Sequence, residues 1–344
     1  MPTLLHPKTL PGGQPRAGRQ NGPSDSAATT ARQRRWAVLR KVLTWAFFAL
    51  VIGMVASQAR SVEWGQVGQA LRGYPAITLA LAGALALLSY LLYSSFDLFG
   101  RAYTGHRLPV PTVMGVGFIS YAFNLNLGAL VGGVAFRLRL YSRLGLEKGQ
   151  IGQILGLSVL TNWLGYCALA GAVFSMGRIE VPPDWKISSG ALQVLGVVLV
   201  MLVAGYLAAC AWSRRRSWQV RGHELALPSL RVALLQLAAS SANWLTITGI
   251  VYVLLQQQLA YPVVVAVLLV AAVAGVLTHV PAGLGVLEAV FIALLGGQVA
   301  QGPLVAALVA YRAIYYLAPL LIAAVMYARL EARARRTAAQ AAQG

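Results

Sequence analysis

The feature that most constrains this chain is a series of long apolar stretches separated by short loops that collect the positive charge. The stretches run approximately over 42–59, 76–96, 110–131, 150–176, 190–212, 230–255, 261–279, 284–298 and 303–327. A helix needs about 20 apolar residues to cross the hydrocarbon core of a bilayer, because each residue advances it by only about 1.5 Å. Most of these stretches reach that length. Charged residues make up 11% of the chain and hydrophobic ones 58%; a soluble domain carries roughly a quarter charged residues. The fold class expected is all-α, a polytopic membrane helix bundle with no soluble domain large enough to carry an enzyme. Residues 1–35 are rich in Pro, Gly, Ser, Gln and Arg, and hold too few apolar side chains for a core. They read as a disordered basic tail. The transmembrane domain is placed at 36–328, and 329–344 is a second basic tail. The first stretch has the length of a signal-peptide core, yet about forty residues precede it, so it reads as a retained span.

The net charge is +19. A balance this basic raises nucleic acid as a partner, but the arginines flank apolar stretches and no base-stacking module is visible. The charge is therefore read as the positive-inside bias plus attraction to anionic lipid, with no nucleic-acid partner. Cys167 and Cys210 both lie in apolar stretches and read as packing residues. Two thiols make no zinc site, so neither a metal nor a cofactor is expected. The sequence holds no phosphate-binding glycine loop, no nucleophile elbow and no paired-acid site, so no catalytic residue is assigned and the chain is not read as an enzyme.

Loop charge sets the topology. Arg32, Arg34, Arg35, Arg40 and Lys41 precede the first stretch; Arg101 and Arg107 follow the second. Arg137, Arg139, Arg143 and Lys148 follow the third, Arg214, Arg215, Arg216, Arg221 and Arg231 lie near 213–231, and Arg329, Arg333, Arg335 and Arg336 end the chain. All five groups go to the cytoplasmic side, as do both termini. The loops at 60–75, 178–187 and 256–261 go outside, with 61–74 as an interfacial helix. Stretch 110–136 then has cytoplasmic flanks on both sides and must enter and return; 261–302 must do the same from the outside. The expectation is six full spans plus two re-entrant helical units in an inverted repeat, a pattern common in transporters. The alternative is that 110–131 simply crosses, which would put Arg214–Arg216 outside.

Two motifs carry the candidate chemistry. The first contains Asn126, Gly132, Gly133 and Arg137, followed by Tyr141. Polar groups and bare backbone at membrane depth must face protein or a wet cavity. On a helix over 133–144, Arg139 and Arg143 share one face and read as interfacial, while Arg137 lies on the other with Gly133, Tyr141 and Leu144. Arg137 is either a buried functional cation, whose planar fork suits a phosphodiester, or a topology determinant. The second motif is His279-Val280-Pro281-Ala282-Gly283-Leu284-Gly285-Val286-Leu287-Glu288. Pro281, Gly283 and Gly285 break one helix, and the next begins near Leu284 with Glu288 in its second turn. A carboxylate there must pair, take a proton or shift its pKa. Arg137 and the mid-span Arg312 are the available partners. A purely structural Glu–Arg pair stays open as the alternative. Asp97 is paired with Arg101, and the stripe Gln236, Ser240 and Asn243 is expected to bond between helices.

At these two motifs the chain resembles the YbhN-like family, which corresponds to the transmembrane, flippase region of lysylphosphatidylglycerol synthases. The matching residues are Asn126, Gly132-Gly133, Arg137, Tyr141 and Gly145-Leu146, and the run from Pro281 to Glu288. The likeness covers roughly residues 40–327; it does not extend to the cytosolic aminoacyltransferase domain of the full synthases, so aminoacyl transfer is not expected. The resemblance implies an inner-membrane protein that translocates a phospholipid or lipid-linked molecule. Membrane lipid, an anionic phospholipid above all, is the expected partner. Arg137 or Arg312 would take phosphate and Glu288 an amine, with Asn126 nearby. The alternative is a non-transporting scaffold for a phospholipid-synthesis enzyme.

Overall fold

The computed structural model describes Gly53 and residues 64–177, 188–213, 217–220, 223–278 and 285–341. All but Gly53 belong to one compact unit, Val55–Gly344. The stretch expected at 42–59 and the tail 1–35 therefore lie outside the described residues, apart from that one glycine.

A short helix, α1 (Trp64–Arg72), precedes the long α2 (Ala76–Thr104). Gly105 closes α2 in the left-handed conformation, φ 68°, where a side chain would be strained. Pro109 then opens α3 (Val110–Leu127), which ends at Gly128, φ 83°. A π-helical turn, Ala129–Ala135, and α4 (Phe136–Arg143) follow. Next come α5 (Lys148–Ser175) and α6 (Ser189–Trp212). Glu147 and Gln150 form a reciprocal cap on α5, and the Ser188 hydroxyl accepts the Ala191 N–H at the start of α6. A two-stranded antiparallel hairpin, β1 (Ser217–Val220) and β2 (His223–Ala226), adds a small element that the all-helical expectation did not contain. The chain continues through α7 (Leu230–Leu254), α8 (Tyr261–Thr278), α9 (Val286–Leu295) and α10 (Gln301–Tyr311). A second π-helical turn, Arg312–Leu317, joins α10 to α11 (Ala318–Ala341) as one continuous rod.

Among the described residues, six helices are long and apolar enough to cross a membrane: α2, α3, α5, α6, α7 and the rod Gln301–Ala332. The number equals the six spans expected, but the membership differs. It includes α3, which the sequence reading treats as one leg of a re-entrant unit, whereas 42–59 is not described.

Contacts show how the shorter pieces run. Pro111 and Thr112 at the start of α3 and Arg143 and Leu144 at the end of α4 line one groove. The chain therefore goes out along α3 for about 27 Å and returns through the π turn and α4 to the end it left. Gly132 makes this possible: a Cβ there would fall inside the backbone of Phe123 and Asn124. The second pair behaves alike. Leu254, Leu255, Gln256 and Gln258 at the end of α7 share a small cavity with Pro303 and Ala306 at the start of α10. The mutually packed α8 and α9 lie between them in sequence, so they too leave one end of the bundle and come back to it. The two fold-back hairpins enter from opposite ends.

Small residues bring the long helices close. Gly165 sits against the backbone of Ser240 and Ser241, and Gly171 and Gly196 bring α5 and α6 together. The polar stripe on α7 bonds as expected. Gln236 Nε2 donates to Thr161 Oγ1 at 2.8 Å, Ser240 Oγ to the Asn162 carbonyl at 3.0 Å, and Asn243 Oδ1 accepts Ser89 Oγ at 2.7 Å. Helices α2 and α4 end, and α3, α5 and α7 begin, at one end of the bundle. Arg107, Arg143, Lys148, Arg231 and Arg329 all lie there.

Candidate functional site

The two motifs build two arginine–carboxylate pairs. In the first, Arg137 Nε donates to Asp97 Oδ2 at 3.0 Å, and both side chains are enclosed, 3% and 0% exposed. Tyr141 Oη donates to the same carboxylate oxygen at 2.9 Å. Arg137 Nη2 reaches Ser158 Oγ at 3.3 Å, Nη1 reaches the Gly133 carbonyl at 3.4 Å, and the guanidinium lies 5.8 Å from the centre of the Tyr93 ring. The π turn sets this up: it places the Gly133 carbonyl one turn before Arg137 and turns the arginine inward. Asp97 thus pairs with Arg137 and not with Arg101, whose Nε instead donates to the Leu108 carbonyl at 2.8 Å. Arg101 is only four residues away on α2, but a fully enclosed cation elsewhere needs the carboxylate more than one near water does.

In the second pair, Arg312 Nε and Nη2 grip the two oxygens of Glu288, the latter contact at 2.9 Å. This fork is bidentate, the geometry in which a guanidinium binds a carboxylate best. It is less enclosed than the first, with side chains 16% and 23% exposed. The Arg312 guanidinium also lies 5.5 Å from the Tyr316 ring centre. Gly285, left-handed at φ 77°, opens α9 and puts Glu288 in its first turn rather than its second. A carboxylate in a first turn faces the unsatisfied N–H groups of the helix start, which favour its charge. Pro281 and Gly283 fall outside the described residues, as does His279.

Arg137 and Glu288 are therefore not partners; each has its own counter-charge. Asn126 lies between the two regions. Its Nδ2 donates to the Ala122 carbonyl at 2.8 Å and to the Tyr316 carbonyl at 3.2 Å, tying α3 to the second π turn. Gly132 and Gly133 lie on the first π turn, against Phe123 and Asn124. Arg139 and Arg143 do share a face, as their spacing indicates, but they meet Glu331 of α11, a partner the sequence did not suggest.

A cavity of about 660 Å³ opens between the turn that joins α3 to α4 and the end of α8 with the start of α9. One wall is Asn124, Gly128 and Leu130; facing it are Gly275, Val276, Val286 and Leu287, with Trp244 of α7 and Tyr311, Tyr315 and Tyr316 completing it. The Glu288–Arg312 pair sits directly behind Leu287 and Tyr311 in sequence. Counting residues along α7 and α10 puts the cavity about 15–25 Å from either end of the bundle. Its tyrosines are held in a network: Tyr315 Oη meets Ser89 Oγ at 2.7 Å and Tyr121 Oη at 2.8 Å, and Tyr90 Oη donates to the Tyr315 carbonyl at 3.1 Å. Sequence reasoning missed Asp97 as a partner of Arg137, Asn124 as a lining residue and these tyrosines. A Tyr-Arg-x-x-Tyr-Tyr run in an apolar helix was the available signal.

Fold and site together define a polytopic helical membrane protein with six candidate membrane-crossing helices among the described residues and a cavity between them. Comparison with known proteins gives the family. The lysylphosphatidylglycerol synthase TM region matches residues 41–323, and the chain belongs to that family. It is 46% identical to the inner membrane protein YbhN of Escherichia coli K12 over 307 residues, 89% of this chain and 96% of that one. The Synechocystis protein slr0712 is 30% identical over 292 residues, 83% and 90% of the two chains.

Proposed function

We propose that this protein moves a phospholipid or lipid-linked molecule across an inner membrane, with the cavity between the two hairpins as its passage. The observation that carries this reading is the position of the cavity. It lies about midway along the bundle, between two hairpins that enter from opposite ends, and its wall residues Leu287 and Tyr311 directly precede the two members of an ion pair that is only partly enclosed. Irregular backbone at that depth is tolerated where it lines a cavity, and transporters bind substrate at such a junction of repeats. In this reading the hairpins are re-entrant units and 42–59 supplies the sixth full span. The arginine-rich end and both termini face the cytoplasm. Arg312 receives a phosphate when the fork opens, and Glu288 receives an amine or re-forms the fork. Arg137, locked to Asp97, supports the first hairpin. No bond is made or broken, so the protein is not an enzyme.

The test is translocation of a fluorescent phospholipid in proteoliposomes. Wild-type protein is expected to move it, and Glu288→Gln to slow it about tenfold, equivalent to the loss of one charge-assisted contact. Unchanged transport in Glu288→Gln would overturn the assigned site. Folded wild-type protein that moves no lipid would favour a non-transporting scaffold for a phospholipid-synthesis enzyme. Orientation is tested separately: Ser142→Cys, on the exposed end of α4, should react with impermeant thiol reagents only from the cytoplasm.

A further inference from the structure

A second cleft lies well away from the central cavity, at the arginine-rich end. It encloses about 430 Å³ between the first three turns of α3, the end of α4 and the segment 326–330 of α11. The wall is mostly apolar, formed among others by Val116, Ile119, Leu140 and Met326, with Gly115 forming part of its floor. Counting from Val110 to Ile119 puts its inner end about 13 Å in from the rim. The rim is basic. Arg143 and Arg329 both line it, and Arg139 is close enough to share Glu331 with Arg143. Among the described residues, that is three guanidinium groups around one carboxylate. Arg329 is exposed and has no carboxylate partner among the described residues.

We propose that this cleft is a binding site for an anionic phospholipid of the cytoplasmic leaflet, separate from the translocation passage. The occupant follows from two complementarities. An apolar trough that starts at the rim and runs inward fits an acyl chain whose headgroup stays at the surface. A rim with surplus guanidinium charge fits a phosphodiester, which Arg binds through paired N–H donors. Basic pockets between helices on the cytoplasmic side are where anionic headgroups bind. A free phosphate would use the arginines but not the trough, and a zwitterionic lipid would use the trough but gain less from the rim. A bound lipid would bridge α4 and α11 beside the Arg143–Glu331 contact, holding the first hairpin against the last helix.

The test uses the full chain purified in detergent, titrated with dioleoyl phosphatidylglycerol, dioleoyl phosphatidylcholine and inorganic phosphate, and read by native mass spectrometry and thermal melting. Phosphatidylglycerol is expected to bind and raise Tm, and phosphatidylcholine to bind at least fivefold more weakly. Arg329→Ala should weaken phosphatidylglycerol by about fivefold while leaving the lipid-free Tm unchanged, since that side chain has no carboxylate partner to lose. Gly115→Leu, which fills the trough, should abolish lipid binding with the rim charge intact. Equal binding of the two lipids, full binding by both variants, or the same Tm rise with inorganic phosphate alone would overturn the proposal. Glu288→Gln should keep this binding whether or not it transports, so failure of this site and failure of the passage are distinguishable.

Discussion

The two arginine–carboxylate pairs use the same chemistry in opposite ways. Arg137 and Asp97 are enclosed among Tyr93, Tyr141, Ser158 and the Gly133 carbonyl, and each of the three guanidinium nitrogens donates to one of these groups or to Asp97. The Arg312–Glu288 fork is bidentate, lies near the Tyr316 ring, and keeps its side chains partly exposed. A charge enclosed with several partners cannot exchange them without leaving a bare charge in a low-dielectric interior. A partly exposed charge keeps some solvation when it lets go of its partner, so it can trade that partner for a ligand of like chemistry at a smaller cost. The first pair is therefore a fastening and the second a candidate switch.

The strongest test of that contrast is removal of one partner from each pair. Arg137→Ala should destabilise the protein by about 3–5 kcal/mol, because Asp97 is left as an unpaired enclosed charge. The measurement is thermal melting in detergent, and a loss below about 1 kcal/mol would mean the pair is not a fastening. Next in size is Gly132→Ala, expected to cost about 3 kcal/mol, since the new methyl meets the backbone of Phe123 and Asn124 rather than a movable side chain. Glu288→Gln should cost only about 1–2 kcal/mol in the same measurement, as Arg312 keeps a hydrogen-bonding partner and some access to solvent. If it costs as much as Arg137→Ala, the distinction between the two pairs fails. The smallest effect belongs to Gly115→Ala in α3. Its Cβ would meet only the end of the Met326 side chain at 4.0 Å, so stability should rise by about 0.5–1 kcal/mol from helix propensity alone.

Much of this molecule was legible before any coordinates. Apolar length gave an all-helical membrane bundle, and the number of six long apolar helices among the described residues, though not which six. Gly132-Gly133 and Gly285 marked the irregular backbone, and the seven-residue spread of Gln236, Ser240 and Asn243 marked a polar seam on α7. The site was only half legible. Arg312, Glu288 and Arg137 stood out because charge in an apolar run is costly wherever it ends up. Which carboxylate each arginine meets did not, since Asp97 and Arg137 are forty residues apart and meet only when the first hairpin folds back onto α2.

The sequence by itself determined what must be hidden from lipid: the polar backbone of the breaks, the three deep charges and the seam on α7. Their cost in hydrocarbon depends on residue type and depth, and both can be counted along the chain. Only the tertiary structure decided how each was hidden. It matched Arg137 with Asp97 and Arg312 with Glu288, set Glu331 beside Arg139 and Arg143, and left the space between the two hairpins. Pairing and empty volume depend on distances between segments remote in sequence, and no local pattern of residues encodes those.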